Sequence, residues 1–232
     1  MIEKTAVLTA NPSVNLDQVD QQSRADAWRF RLPELSAGDV TLREVRASDA
    51  DALVALLTTP EITRFISAPP QTADGFKMFI AASQRLRAAG QGACFAVTLR
   101  GYDTAIGIFQ IRQVSSSEDE ATQVGGAIEA AEWGFAIGSP FWGTGIFEQC
   151  AALVMEFAFE HMAVHRLEAR CAVRNGRGGK ALVKVGAVPE GILKKAFLCG
   201  NEYLDQVLYA IVEHDWRACR DRARSARLTL VH

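Results

Sequence analysis

The chain has 232 residues, enough for one sizeable hydrophobic core without requiring a second domain. Hydrophobic residues make up 49% and charged residues 22%, which excludes a disordered or low-complexity protein. Its 25 Lys and Arg against 27 Asp and Glu leave a formal charge of −2, a balance that argues against a dedicated nucleic-acid binder. The cysteines at 94, 150, 171, 199 and 219 are odd in number and show no C-x-x-C spacing. Neither a disulfide framework nor a zinc knuckle is expected, and a reducing cytoplasm fits. No apolar run reaches about 18 residues, so no transmembrane helix is expected. Met1–Ala10, with Glu3 beside Lys4, does not read as a secretory signal.

Residues 1–38 read as an arm interrupted by Pro12, Pro33 and Gly38, with Asp26–Arg31 expected as a turn or short helix. Val40–Val45 alternates as a half-buried strand does. Ser48 then stands as the N-cap of a helix with Asp51 in the capping-box position and Leu53, Leu56 and Leu57 on its apolar face. Pro60 opens a short helix to about Ile66, and a longer one is expected from Thr72 or Ala73 to Ala89, stopped by Gly90. Cys94–Leu99 and Ala105–Arg112 read as a hairpin. The polar, acidic Ser115–Glu120 reads as a loop and Ala127–Ile137 as a strand. Ile146–His161 is the clearest amphipathic helix. Arg166–Val173 is expected as a strand and Arg177–Val185 as a helix ended by Gly186. Ala187–Gly191 and Asp205–Val212 are further strands, before a terminal helix around Trp216. Arg217–Arg227, with five Arg and one Asp, reads as a solvated basic tail. The order predicts one α/β domain over 39–216, with 1–38 and 217–232 outside it.

The chemistry concentrates in Ala131–Gly145. A strand ends, Gly138, Gly143 and Gly145 follow, and an apolar helix begins at once. Glycines let a backbone turn sharply and expose its N–H groups, and a helix start adds unpaired donors and partial positive charge. Together they suit a phosphate or pyrophosphate. A P-loop would need G-K-[ST], whereas Gly145 is followed by Ile146 and Phe147; a dinucleotide fold would need a third glycine. In isolation the segment is equally compatible with a plain tight connection.

The ordered set Trp142-Gly143-Thr144-Gly145, the helix after it, His165-Arg166-Leu167-Glu168-Ala169, Asn175, Lys184-x-Gly186 and Tyr203…Asp205-x-Val207-Leu208-Tyr209 resembles the Gcn5-related N-acetyltransferases. It is most similar to their ribosomal-protein N-acetyltransferase (RimJ/RimL-like) branch, from about Val40 to Trp216. The resemblance implies a single α/β domain with a mixed, mostly antiparallel sheet and a central splayed parallel strand pair flanked by helices. It implies acetyl-CoA as co-substrate, its pantetheine beside Phe135, Ala136 and Ile137 and its pyrophosphate on the N–H groups of Gly143, Thr144, Gly145, Ile146 and Phe147. Asn175 would bond the pantetheine or a water, although Asn-Gly is also a common turn pair. Arg177 and Lys180 would face the 3′-phosphate.

The implied reaction is direct attack of an amine on the thioester, without a covalent enzyme intermediate. Glu132 is the candidate base, and a backbone N–H near Ala136 or Ile137 the oxyanion donor. The chain departs from the family at Phe147 (usually Ala or Gly), Gly178 (often Ser), Leu182 (often the Tyr that acts as acid) and Ala187 (often Phe). Tyr203 is the candidate replacement acid, with Tyr209 or water as alternatives. His161 and His165 lack further ligands, so no metal is expected. The expected acceptor is a primary amine, foremost a protein N-terminal α-amine such as that of a ribosomal protein, for a monomer or homodimer with no membrane or direct nucleic-acid partner. A catalytically impaired acyl-CoA binder of the same fold is the alternative, ahead of a different phosphate-cofactor enzyme.

Overall fold

The computed structural model describes residues 27–114 and 130–229, with side chains to 222 in the last helix. The loop expected at Ser115–Glu120, the first residues of the strand expected from Ala127, and most of the arm lie outside the described residues. The strands are β1 (Leu35–Ala37), β2 (Val40–Glu44), β3 (Gly92–Leu99), β4 (Gly107–Gln113), β5 (Ala130–Ile137), β6 (Arg166–Ala172), β7 (Val188–Cys199) and β8 (Glu202–Val212). The helices are α1 (Ala50–Leu57), α2 (Pro60–Thr63), α3 (Ala73–Ala88), α4 (Ile146–Glu160), α5 (Gly176–Lys184) and α6 (Glu213–Thr229), with a helical turn at residues 27–30. One sheet runs β1-β2-β3-β4-β5-β6-β8-β7. Every neighbouring pair is antiparallel except β5–β6, so the expected mixed sheet with a central parallel pair is observed.

Alternation along the strands sends side chains to two layers. On one face Phe95, Phe109, Ile111, Trp133 and Leu167 meet α4 through Cys150, Val154, Phe157 and Ala158. On the other, Cys94 and Ala96 meet Leu53 and Leu57 of α1 and Phe76 and Ile80 of α3. β3 is therefore buried on both sides, which is why its sequence, Thr98 apart, is a continuous run without polar alternation. Trp28, read as part of the arm, is buried edge-on against Phe157 with ring centroids 6.0 Å apart.

Several elements differ from the sequence expectation for identifiable reasons. Leu35–Ala37 is a strand that pairs with β2 through a turn at Gly38, whose φ is +53°. Ser48 is not a cap: it lies in a 3-10 turn over Ala47–Asp49, and the Asp49 carboxylate accepts from the Arg46 N–H at 2.8 Å. The helix from Pro60 stops at Thr63 rather than Ile66. β7 runs to Cys199, past the expected end at Gly191, because its pairing with β8 resumes beyond two irregularities, one between Pro189 and Gly191 and one between Leu193 and Phe197. α6 continues unbroken through residue 217. Within the basic run, Arg217 and Arg220 both pair with Glu160, so these charges are committed inside the fold.

Candidate active site

The site begins where two strands part. The β5–β6 register holds from Ala130↔Arg166 to Glu132↔Glu168 and then ends, although both strands continue. Hydrogen bonds from Gly138 N–H to Ile106 O and from Val114 N–H to Ala130 O, both 2.9 Å, show that even-numbered residues of β5 turn their peptide groups toward β4. Phe135 and Ile137 therefore turn theirs toward the gap, where no described strand meets them. Ala136, expected to present its backbone to the thioester, instead faces β4 and leaves only its small side chain on the acceptor side. On β6, the bond from Val173 N–H to Asp205 O commits odd-numbered residues to β8, so Arg170 and Ala172 face the gap.

The loop after β5 is fixed from several directions. The Trp142 indole N–H donates to Ile137 O at 2.8 Å, closing off that carbonyl. The Arg177 guanidinium carbon lies 4.0 Å from the Trp142 ring centroid, tying the start of α5 to the loop. The Thr144 hydroxyl donates to Phe141 O at 2.7 Å. Gly143 and Gly145 have φ of +77° and +83°, a left-handed conformation that a side chain would strain. Gly145 is the N-cap of α4, and no side chain caps that helix. Its first-turn N–H groups thus lack intrahelical acceptors, although the Glu148 carboxylate accepts from its own N–H, and such a helix start has the partial positive charge that suits an anion.

Two side chains at this helix start bear on the anion site. Phe147 turns inward, its ring centroid 4.5 Å from that of Phe135 and 6.0 Å from that of Phe109, so it joins the core instead of covering the amides. Glu148 would repel an anion, but Lys184 pairs with it from α5 and holds its carboxyl below the usual range.

Glu132 sits at the fork itself. Its neighbours Ala131 and Trp133 are buried toward α4, so Glu132 projects to the opposite face, 38% exposed, with Arg170 Nε at 3.9 Å. Asn175 caps α5, its side-chain oxygen accepting from Gly178 N–H at 3.0 Å, so only its amide NH2 remains for a ligand. Lys180 and Arg177 are exposed on α5. Tyr203 is 57% exposed near the β7–β8 turn, past the end of β6, whose last residue Ala172 pairs with Gln206. Leu182 is buried in the core and offers no hydroxyl. The Tyr209 hydroxyl abuts Gly179: a Cβ there would stand 2.7 Å from it. Burial pushes the Cys171 thiol up to about 11, which suits no nucleophilic role. Among the described residues, no group of acidic, His and Cys side chains could hold a metal. Sequence reasoning missed Arg170, whose approach to Glu132 depends on strand register, and the indole lock of Trp142, which depends on how the loop after β5 folds back.

A sheet whose one parallel pair opens into a cleft, faced by an uncapped helix start, is the architecture of an acyl-CoA-dependent acyltransferase. The chain belongs to the acetyltransferase (GNAT) domain family, whose description matches residues 39–188. It is 32% identical over 85 residues to the uncharacterized N-acetyltransferase YnaD of Bacillus subtilis, covering 37% of this chain and 50% of that one. It is 28% identical over 93 residues to the [ribosomal protein uS5]-alanine N-acetyltransferase of Escherichia coli, covering 40% and 48%. The matched stretches thus span about half the length of these relatives. Among solved structures it resembles Mycobacterium smegmatis RimJ in complex with CoA-disulfide, with TM-score 0.66 and 21% identity over 76% of this chain and 83% of that one.

Proposed function

We propose that this protein transfers an acetyl group from acetyl-CoA to a primary amine, and that the amine is a protein N-terminal α-amine. The observation that carries this is the opening of β5–β6 immediately after Glu132↔Glu168, beside the uncapped start of α4. An extended pantetheine adds to the free edge at Phe135 and the N–H of Ile137, in the manner of a further strand. The diphosphate rests on the N–H groups from Gly143 to Phe147, and Arg177 and Lys180 meet the 3′-phosphate. Asn175 donates its remaining amide hydrogens to the pantetheine.

The amine approaches from the face that carries Glu132 and competes with Arg170 for its carboxylate. Glu132 takes a proton from the ammonium, the neutral nitrogen attacks the thioester carbon, and the N–H of Phe135, nearer Glu132 along the free edge than the pantetheine's contact at Ile137, receives the developing oxyanion. The carbon–sulfur bond then breaks, the proton that the new amide nitrogen sheds passes through water to the departing sulfur, and coenzyme A leaves as its thiol. A thiol has a pKa of about 8.5, so this leaving group asks little of an acid, and Tyr203 or water suffices. An α-amine has a pKa of about 7.7–8.0 and Lys about 10.4, so freeing the α-amine near neutral pH costs roughly 3–4 kcal/mol less. A site with one carboxylate base and no tyrosine at 182 suits the easier nucleophile.

The test is thiol release from acetyl-CoA in the presence of a peptide with a free α-amine. Release that requires the peptide supports the proposal. Tight acetyl-CoA binding with no release from any amine favours the impaired binder, a reading that Gly178 and Leu182 keep in play.

A further inference from the structure

The two arginines of β6 differ in how their charge is used. Arg166 is held by Glu168 at 2.7 Å and by Glu190, so its donors are spent. The Arg170 side chain, 41% exposed, makes no hydrogen bond among the described residues, and Glu132 at 3.9 Å is its one ion-pair partner there. Ala169 and Cys171 on either side are buried toward α4. Arg170 therefore stands on the opposite face, with Glu132 and away from the helix start that suits the diphosphate. Its partner on β8, Leu208, is apolar. Glu168, the other carboxylate on β5 and β6, is taken by Arg166. Across the β4–β5 ladder, Arg112 lies directly opposite Glu132, exposed and on the same face.

A guanidinium carries five N–H donors in a fixed fork that matches a carboxylate bidentately. Glu132, at 3.9 Å, stands beyond hydrogen-bond range and leaves that fork unused. Once Glu132 has taken the ammonium's proton it is neutral, and Arg170 has lost the one carboxylate that faces it among the described residues. A carboxylate that arrives with the acceptor replaces it and meets a full set of donors. The reach is set by the same contact. An ammonium hydrogen-bonded to Glu132 Oε2 lies within about 7 Å of Arg170 Nε, roughly the span of two extended residues.

Resting on the acetyltransfer reading, we infer that Arg170 selects the acceptor: it binds a carboxylate on the second residue of the peptide whose α-amine reacts, so the preferred acceptor has Asp or Glu there. The test compares thiol release for alanine-first peptides that differ only in glutamate, glutamine or lysine at the second position. The glutamate peptide is expected to exceed the glutamine peptide in kcat/KM by at least about fivefold, with the lysine peptide lowest, and the gain lies in KM rather than kcat. Arg170→Gln is expected to bring the glutamate-to-glutamine ratio close to one. Arg170→Lys, which keeps the charge but loses the fork, retains part of it. A change in Glu132 that affects both peptides alike cancels in this ratio. Equal turnover of the two peptides by the parent, or a ratio that Arg170→Gln leaves unchanged, overturns the inference and leaves acetyltransfer standing. Turnover of none of the three peptides by the parent overturns the acetyltransfer reading and this inference with it.

Discussion

Gly145→Ala separates the anion site from its scaffold when paired with Gly101→Ala. Gly145 has φ of +83° and Gly101, in the β3–β4 turn, +82°. A Cβ on Gly145 comes no nearer than 4.0 Å to Gln149 Nε2, and one on Gly101 meets nothing within 4 Å. Neither substitution creates a clash, so each costs only the left-handed strain of a side chain, about 1–2 kcal/mol. For a domain of this size that lowers Tm by roughly 2–8 °C in both variants. The difference lies in the ligand. Relaxation at 145 swings the first N–H groups of α4, whereas relaxation at 101 moves a turn beside β2. Titration calorimetry with coenzyme A is expected to show Kd raised about 5- to 10-fold by Gly145→Ala, or roughly 1–1.4 kcal/mol, and unchanged by Gly101→Ala. Equal effects of the two variants on Kd would refute the placement of the diphosphate.

Three further outcomes follow from the same geometry. Glu132→Gln is expected to lower kcat for an α-amine peptide by about 10²- to 10³-fold with coenzyme A affinity unchanged; undiminished turnover removes Glu132 as base. Gly178→Ser restores the residue common in the family, yet its Cβ would stand 2.6 Å from Asn175 Nδ2 and 2.9 Å from Cys171 Sγ, so it is expected to destabilise by about 1–3 kcal/mol. Thermal denaturation checks this, with partial recovery expected in the Gly178→Ser, Cys171→Ala double variant. Lys184 holds the Glu148 carboxyl below its ordinary pKa, so this pair adds stability that is fully present above about pH 4.3 and is lost as pH falls through the lower folded value. Tm measured across that acid range is expected to fall less steeply in Lys184→Met than in the parent, and parallel curves would contradict the pairing.

What the sequence conveyed and what it concealed divide along physical lines. Short-range patterns were readable: the period of Ile146–Glu160, the glycines before it and Gly186 after α5 each act within a few residues. Features set by long-range register were not. The Glu132–Arg170 approach depends on which residues of β5 and β6 lie opposite each other, and that register ends at Glu132↔Glu168. The Arg43–Asp103 contact, which extends the buried Arg43–Asp49 pair, joins residues 60 positions apart and left no local signal. β7 extends past Gly191 through Lys194 and Lys195, which break its alternation, and Lys195 has a φ of +52°. Phe147 was ambiguous because its position borders both the apolar face of α4 and the loop. Asn175 was read as a ligand contact and also as a turn residue. Its oxygen serves the cap of α5, and its amide hydrogens remain for the proposed contact.

The most direct measurement is the ¹⁵N–¹H spectrum of the labelled protein titrated with coenzyme A. The largest shifts are expected at the amides of Thr144, Gly145, Ile146 and Phe147, with smaller ones at Phe135 and Ile137. Saturable binding that leaves those amides unmoved, or no binding at millimolar coenzyme A, would contradict the account.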